Sequence, residues 1–259
     1  MRRWLRRHPA IKATVKRLLL PLRRDVSTGY RPIAPTAATE IAGRFRDSWR
    51  DDQLPDRQRR LVDPQLQRYA NGEPNAMFDA LVDLLRPLPL DRGTLLEIGC
   101  SSGYYSEVLA HRRVPLAYRG CDYSDAFVRM ARHYYPAVTF DVADATALPY
   151  PDRAFDVVVS GCCLLHIPEY QQAVRETARV ARHYAIFHRT PVLASSPTRY
   201  FTKEAYGVKT VEIHFDEGEL MRLFAQHHLQ LIDLRTIAVD WHGGDAVLNR
   251  TYLCGKLLS

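Results

Sequence analysis

The sequence predicts an α/β domain, a parallel sheet with helices packed on both of its faces. Three observations predict it. Strand-length apolar runs alternate with helix-length periodic segments from Leu95 to His188. The run Phe155 to Ser160 is strongly apolar, as a strand covered on both sides must be. The chain has 259 residues, 46% of them hydrophobic and 25% charged, which suffices to bury a sizeable core and excludes disorder throughout.

The elements follow in order. Met1 to Arg24 carries nine of the 36 Lys and Arg residues and no acid, so the rest of the chain holds 27 bases against 29 acids. A basic partner surface is therefore confined to the tail, and the body makes no case for nucleic acid. From Pro9 a helix begins that puts Ile11, Val15, Leu18, Leu19 and Leu22 on one side and Lys12, Lys16 and Arg23 on another, with Pro21 limiting its length. Such a tail (1–30) either lies on an anionic membrane surface, drawn by about 1 kcal/mol per base, or is a disordered solubilising segment; RNA contact is a third option. Arg31 to Glu40 reads as a linker within a linker and helical cap (31–75). Asp51 to Ala70 is helix-prone, "NGEPN" turns the chain, and "AMFDALVDLL" is a helix closed by Pro87 and Pro89.

The main domain (76–259) then alternates: strand 95–98, helix 104–111, strand 116–121, helix 125–135, strand 138–141, strand 155–160, helix 169–181 and strand 184–188. An insert or lid at 189–215 shows no strong period. Asp216 and Glu219 stand in capping-box spacing for a helix near Glu217, and runs at 229–239 and 247–257, joined by "WHGGD", read as a closing hairpin. Five cysteines without metal-ligand spacing suit a reducing compartment. No apolar run reaches a membrane span's length, so a cytoplasmic location is expected.

The corner "LLEIGCSSGYY" ends a strand at Glu97 and starts a helix through Gly99, Ser101, Ser102 and Gly103, small residues that let a ligand press against the backbone. Nineteen residues after Gly103, Asp122 in "YRGCDYS" ends the second strand, where a ribose diol finds acceptors, with Tyr123 beside it. Asp144, in "VADATALPY", follows the next strand, where it can accept from an exocyclic amine. Acids at consecutive strand ends point to an adenosine ligand. A dinucleotide enzyme fits less well, because Ser101 stands where G-x-G-x-x-G requires its second glycine.

"LLEIGCSSGYY", "GCDYS" and "VADATALPYPDRAFDVVVS" together resemble the class I S-adenosylmethionine-dependent methyltransferases, notably the small-molecule kind (type 11-like), over about Asp79 to Ala181. The resemblance implies a Rossmann-like three-layer sandwich, a seven-stranded mostly parallel sheet whose last strand is antiparallel, here with an N-terminal helical extension. It also implies S-adenosyl-L-methionine as cofactor, with Glu97 as the acid ending strand one, Gly99 and Gly103 in the cofactor loop, Asp122 on the ribose hydroxyls, and Asp144 with Ala145 bordering the adenine. The family's middle loop glycine is Ser101 here, small enough to fit.

Methyl transfer from a sulfonium is an in-line displacement, for which alignment supplies up to about 7–11 kcal/mol and a general base about 3–5 kcal/mol. His166 follows the fourth strand and His188 ends the fifth, both at the open rim, and they are the candidate bases. Ser160 and Cys162 border the methionine end, and Tyr104 offers an aromatic wall for the sulfonium. Tyr105, with Arg189, Arg199, Tyr200, Lys203, Tyr206 and His214 of the insert, forms an aromatic and cationic set suited to a polar acceptor. No Asp/His pair has metal spacing, so metal-independent transfer is expected. The expected activity is O-methylation of a small polar, glycan or lipid-linked acceptor. The alternatives are an RNA methyltransferase, against which the body's charge speaks, and a scaffold that holds the cofactor without turnover.

Overall fold

A computed structural model describes residues 27–242 and 245–257; the basic tail at 1–24 lies outside the described residues. The main sheet runs β4 (Thr139–Val142), β3 (Leu116–Asp122), β2 (Gly93–Ile98), β5 (Phe155–Gly161), β6 (Ala181–Leu193), β10 (Asp245–Lys256), β9 (Leu229–His242). The five strands from β4 to β6 are parallel, and β10 enters antiparallel between β6 and β9. Chain order runs away from β2 in both directions. The crevice beyond the carboxyl ends of β2 and β5 is therefore the topological switch point.

The strands bury apolar side chains on both faces. In β2, Leu95 faces a core with Val157, Val159, Phe78, Tyr105 and Val108, while Leu96 and Ile98 face the other core with Val158, Phe187, Val174 and Phe224. The first core is covered by α2 (Leu54–Ala70), α3 (Ala76–Leu85) and α4 (Tyr104–His111), the second by α6 (Tyr170–Val180) and α7 (Glu217–Gln226). A smaller cluster of Cys100, Val128, Ala131 and Phe140 seats α5 (Asp125–Tyr134). Side-chain caps start two helices: Asn75 Oδ1 accepts from Met77 N at 3.0 Å, and Asp216 accepts from Glu219 N at 2.8 Å. The reciprocal arm of the box at α7 is diverted, since Glu219 accepts from Thr198 Oγ1 and Asp216 N donates to that same hydroxyl.

Two stretches depart from the sequence reading. Residues 31–40, read as a linker, form the end of β1 (Ser27–Ile33) and the start of α1 (Pro35–Arg44). The insert is structured: β6 continues to Leu193, and β7 (Arg199–Ala205) and β8 (Val208–Asp216) form a hairpin that carries β1 on its outer edge. This antiparallel unit joins the main sheet through Val192 and Leu193 of β6 beside Phe215 and Asp216 of β8. The seven-stranded sheet is thus present, extended to ten strands by the β1–β7–β8 cap.

Candidate active site

A cavity of about 1750 Å³ lies between the carboxyl ends of the central strands and the inner face of the cap. That is larger than the roughly 300–1,000 Å³ of most ligand pockets.

The loop after β2 forms one wall. Gly99 N and Cys100 N both donate to Cys121 O, at 2.8 and 3.0 Å, which ties the turn to β3. Gly99 has φ +72°, and a Cβ there would lie 2.5 Å from that of Cys163. Ser101 adopts φ +48°, a left-handed conformation that glycine takes more readily, and its N–H donates to Asp122 Oδ2 at 2.9 Å. Asp122 Oδ1 accepts from Ser124 N, also at 2.9 Å. The Tyr123 N–H also acts on this carboxylate, which keeps acceptor capacity for a further donor. Burial pushes the Asp122 carboxyl up to about 6, against the backbone N–H groups that favour its ionised form. Asp144 stands past β4, exposed, accepting from Thr146 N at 2.8 Å and Thr146 Oγ1 at 2.7 Å.

Of the residues singled out from sequence, Gly99, Ser101, Tyr104, Asp122, Tyr123, Asp144, Ala145, Cys162, His166, Arg189, Tyr206 and His214 line the cavity. Six stand behind it. Glu97 is buried and accepts from Tyr118 Oη; its carboxylate fills the space that a Cβ on cavity-lining Gly161 would take. Gly103 packs against Phe140 at the start of α4, and Ser160 Oγ meets Cys163 Sγ at 3.4 Å. Tyr200 sits in β7 opposite Ile33 and packs against the second core. Tyr105 and His188 meet each other: Tyr105 Oη lies 2.6 Å from His188 Nε2, while His188 Nδ1 lies 2.9 Å from Thr251 Oγ1. His188 is 1% exposed, and burial, then the charge of Arg189, holds its pKa well below the usual range. With both ring nitrogens engaged away from the cavity, His188 orders the core rather than accepting a proton from a ligand.

His166 differs. It follows β5 in a short 3-10 turn, Leu164–His166, and its Nδ1 lies 2.7 Å from Val211 O of the cap. A carbonyl only accepts, so Nδ1 carries the proton and Nε2 holds a free lone pair. Burial, then the nearby charge of Lys203, pushes the ring's pKa down to about 4, so it is neutral near pH 7. Trp49 packs on it with ring centroids 4.8 Å apart and donates Nε1–H to Thr210 Oγ1 at 2.9 Å.

The cap contributes a polar cluster of which the sequence reading caught only Lys203 and His214. Lys203 donates to Glu212 Oε2, His214 Nε2 lies 2.8 Å from Glu212 Oε1, and Tyr30 Oη donates to the same oxygen at 3.1 Å. Burial opposes ionisation of Glu212, but the hydrogen bond from His214 and the charge of Lys203 hold its carboxyl far below its ordinary range. The available signal was spacing: Thr210, Glu212 and His214 are two apart and share one face of β8.

Glu97 makes stability depend on pH. Burial pushes its carboxyl up to about 8, with the Tyr118 hydrogen bond opposing. The native protein therefore keeps a proton that the unfolded chain has released, and stability declines as pH rises towards 8. Between pH 6.5 and 8 the histidines held neutral in the native protein, His166 and His188, still release protons in the unfolded chain and oppose this slope, so the contribution of Glu97 is read as a difference between two proteins. Relative to Glu97→Gln, the wild type is expected to lose about 1–2 kcal/mol of stability across that window in thermal unfolding.

Comparison with known proteins follows the same geometry. A family model described as "Methyltransferase domain" matches residues 96–187. A probable S-adenosylmethionine-dependent methyltransferase of Mycolicibacterium smegmatis is 36% identical over 107 residues, 40% of this chain and 38% of its own. The chain thus spans about two-fifths of that relative's length. The phthiotriol/phenolphthiotriol dimycocerosates methyltransferase of Mycobacterium tuberculosis is 31% identical over 205 residues, 73% of this chain and 76% of its own. Among solved structures, 1,6-didemethyltoxoflavin-N1-methyltransferase of Burkholderia thailandensis, with bound S-adenosylhomocysteine, superposes with a TM-score of 0.55 at 19% identity, covering 88% of this chain and 94% of that one. The tuberculosis relative matches well over twice as many residues as the family model does, so the likeness extends beyond the cofactor half of the sheet, and this chain belongs to the class I S-adenosylmethionine-dependent methyltransferases.

Proposed function

We propose that the protein methylates an oxygen of a polar, glycan or lipid-linked acceptor, with His166 receiving the proton and no metal taking part. The observation that carries the reading is the tautomer of His166, a cavity-lining residue whose Nδ1–H is committed to Val211 O while Nε2 is unprotonated. Among the described residues no group of three His, Cys, Asp or Glu stands together as a metal would need. The size of the cavity suits an acceptor with an extended body. The mycobacterial relative aligned over 205 residues is itself named for phthiotriol and phenolphthiotriol dimycocerosates.

The residues fit the cofactor. The carboxylate of Asp122 would accept from the ribose hydroxyls, Asp144 and Ala145 would border the adenine, and Gly99 and Ser101, which line the cavity, would face the methionine end. Tyr104, on the cavity wall, supplies a π-face for positive charge. When bound, S-adenosylmethionine supplies an electrophilic methyl on a sulfonium sulfur. His166 Nε2 would accept the acceptor's O–H and orient the oxygen, and would take its proton as the methyl leaves sulfur for that oxygen. Burial and the charge of Lys203 disfavour the resulting imidazolium, so the ring would then pass the proton on to solvent. Trp49 and the cap exclude water from the transfer.

His166→Ala is expected to lower kcat by about 10²- to 10³-fold while leaving the Kd for S-adenosylhomocysteine, measured by calorimetry, within about twofold. Normal turnover by that variant would remove His166 from the chemistry. The tail at 1–24 is proposed to hold the protein at anionic membrane surfaces. Its deletion should abolish sedimentation with phosphatidylglycerol vesicles and spare cofactor binding, and equal sedimentation of both forms would reject the role.

A further inference from the structure

Three Lys or Arg side chains line the cavity among the described residues. Arg68 pairs with Glu73 at 3.8 Å, and Lys203 pairs with Glu212. Among the described residues Arg189 has no such partner: its Nε is shielded from solvent with no hydrogen bond, and its guanidinium forms no ion pair. The groups around it, Cys162, Tyr104, Tyr105 and Tyr206, are thiol and phenol. A partly buried cation left this way is costly unless a ligand completes it.

The backbone is built to hold it there. Thr190 pairs with Arg250 and Phe187 with Tyr252, so His188 and Arg189 together oppose the single residue Thr251. This is a β-bulge, and Arg189 sits in it at φ +58°, a left-handed conformation that a non-glycine residue adopts at a cost. Bulges beside active sites re-aim side chains. Here His188 turns into the core against Tyr105, and Arg189 reaches the cavity.

Resting on the methyltransferase reading above, we infer that Arg189 binds an anionic group of the methyl acceptor, a carboxylate or a phosphate, beside the hydroxyl that His166 deprotonates. Along the sheet, the candidate adenosine acids lie at β4 and β3 and the glycine loop at β2, whereas Arg189 lies farther out on β6, with Tyr206 of the cap beside it. Its other neighbours, Cys162 and Tyr104, stand at the methionine end, so the cofactor's own carboxylate is the competing anion that the test separates. An anion there also separates the guanidinium from the sulfonium, two cations that would otherwise share one low-dielectric space.

The test titrates octyl phosphate and octanol by calorimetry into wild-type protein, Arg189→Met and Arg189→Lys, each with and without saturating S-adenosylhomocysteine. The expected result is a preference of about tenfold or more for octyl phosphate in wild type, lost in Arg189→Met and partly kept in Arg189→Lys, with S-adenosylhomocysteine affinity in Arg189→Met within about twofold of wild type. Equal binding of the two probes by wild type overturns the assignment. So does a loss of about tenfold or more in S-adenosylhomocysteine affinity in Arg189→Met, which gives the guanidinium to the cofactor. Failure of wild type to bind S-adenosylhomocysteine defeats the methyltransferase reading separately, because the titrations without it still report on Arg189.

Discussion

Asp122→Ala is expected to raise the Kd for S-adenosylhomocysteine by about 100-fold or more. Hydrogen bonds to a buried carboxylate contribute about 1.5–3 kcal/mol each, and two ribose hydroxyls would lose such a partner. The same carboxylate accepts from Ser101 N and Ser124 N, so its removal also frees the loop after β2 from β3. Asp122→Asn is expected to lose nearly as much, because its amide NH₂ would face one of those two N–H donors. Calorimetry on variants shown by circular dichroism to be folded checks this, and a Kd within about threefold of wild type would remove Asp122 from the ribose.

Gly103→Ala carries the largest expected effect on stability. Gly103 caps α4 at φ +74°, a conformation that costs a residue with a Cβ about 1–2 kcal/mol. A Cβ there would also lie 2.6 Å from Phe140 Cζ and 3.2 Å from Ala131 Cβ, inside the small core under α5. Overpacking of this kind adds about 1–3 kcal/mol. The sum, about 2–5 kcal/mol, corresponds to a fall in Tm of about 10 °C for a chain of this length. Gly29→Ala provides the contrast: φ is +69° and no atom lies within 4 Å of the added Cβ, so only the conformational part remains. Similar Tm values for the two variants would contradict the packing account.

Most of the fold was legible because its signals are local. The helix Tyr104–His111 has the bounds the sequence predicts, and the strands from β2 to β6 are found where apolar runs stand, because burial on both faces writes a continuous pattern. The candidate acids were legible for a similar reason: Asp122 and Asp144 are read at strand ends from spacing alone, and both line the cavity. The cap was not. In β8 the inward residues Thr210, Glu212 and His214 are polar and are satisfied by the neighbouring strand's Lys203 and by Trp49 and Tyr30, far away in sequence, so the alternation does not register as a half-buried strand. β1 was missed because its pairing is non-local, with Ser27 opposite Ala205. The histidines show the limit most clearly. His166 and His188 look alike in sequence, both just past apolar strands, and only three-dimensional packing separates the one whose Nε2 stays free from the one enclosed by Tyr105 and Thr251.

The central claim is that the rim of this sheet grips an adenosine through Asp122 and presents the sulfur towards His166. A crystal structure with S-adenosylhomocysteine tests it most directly. The account predicts both ribose hydroxyls at hydrogen-bond distance, about 2.5–3.0 Å, from the two oxygens of Asp122, with the sulfur on the side of His166 Nε2. A nucleoside bound elsewhere in the cavity, with Asp122 touching only Ser101 and Ser124, would contradict it.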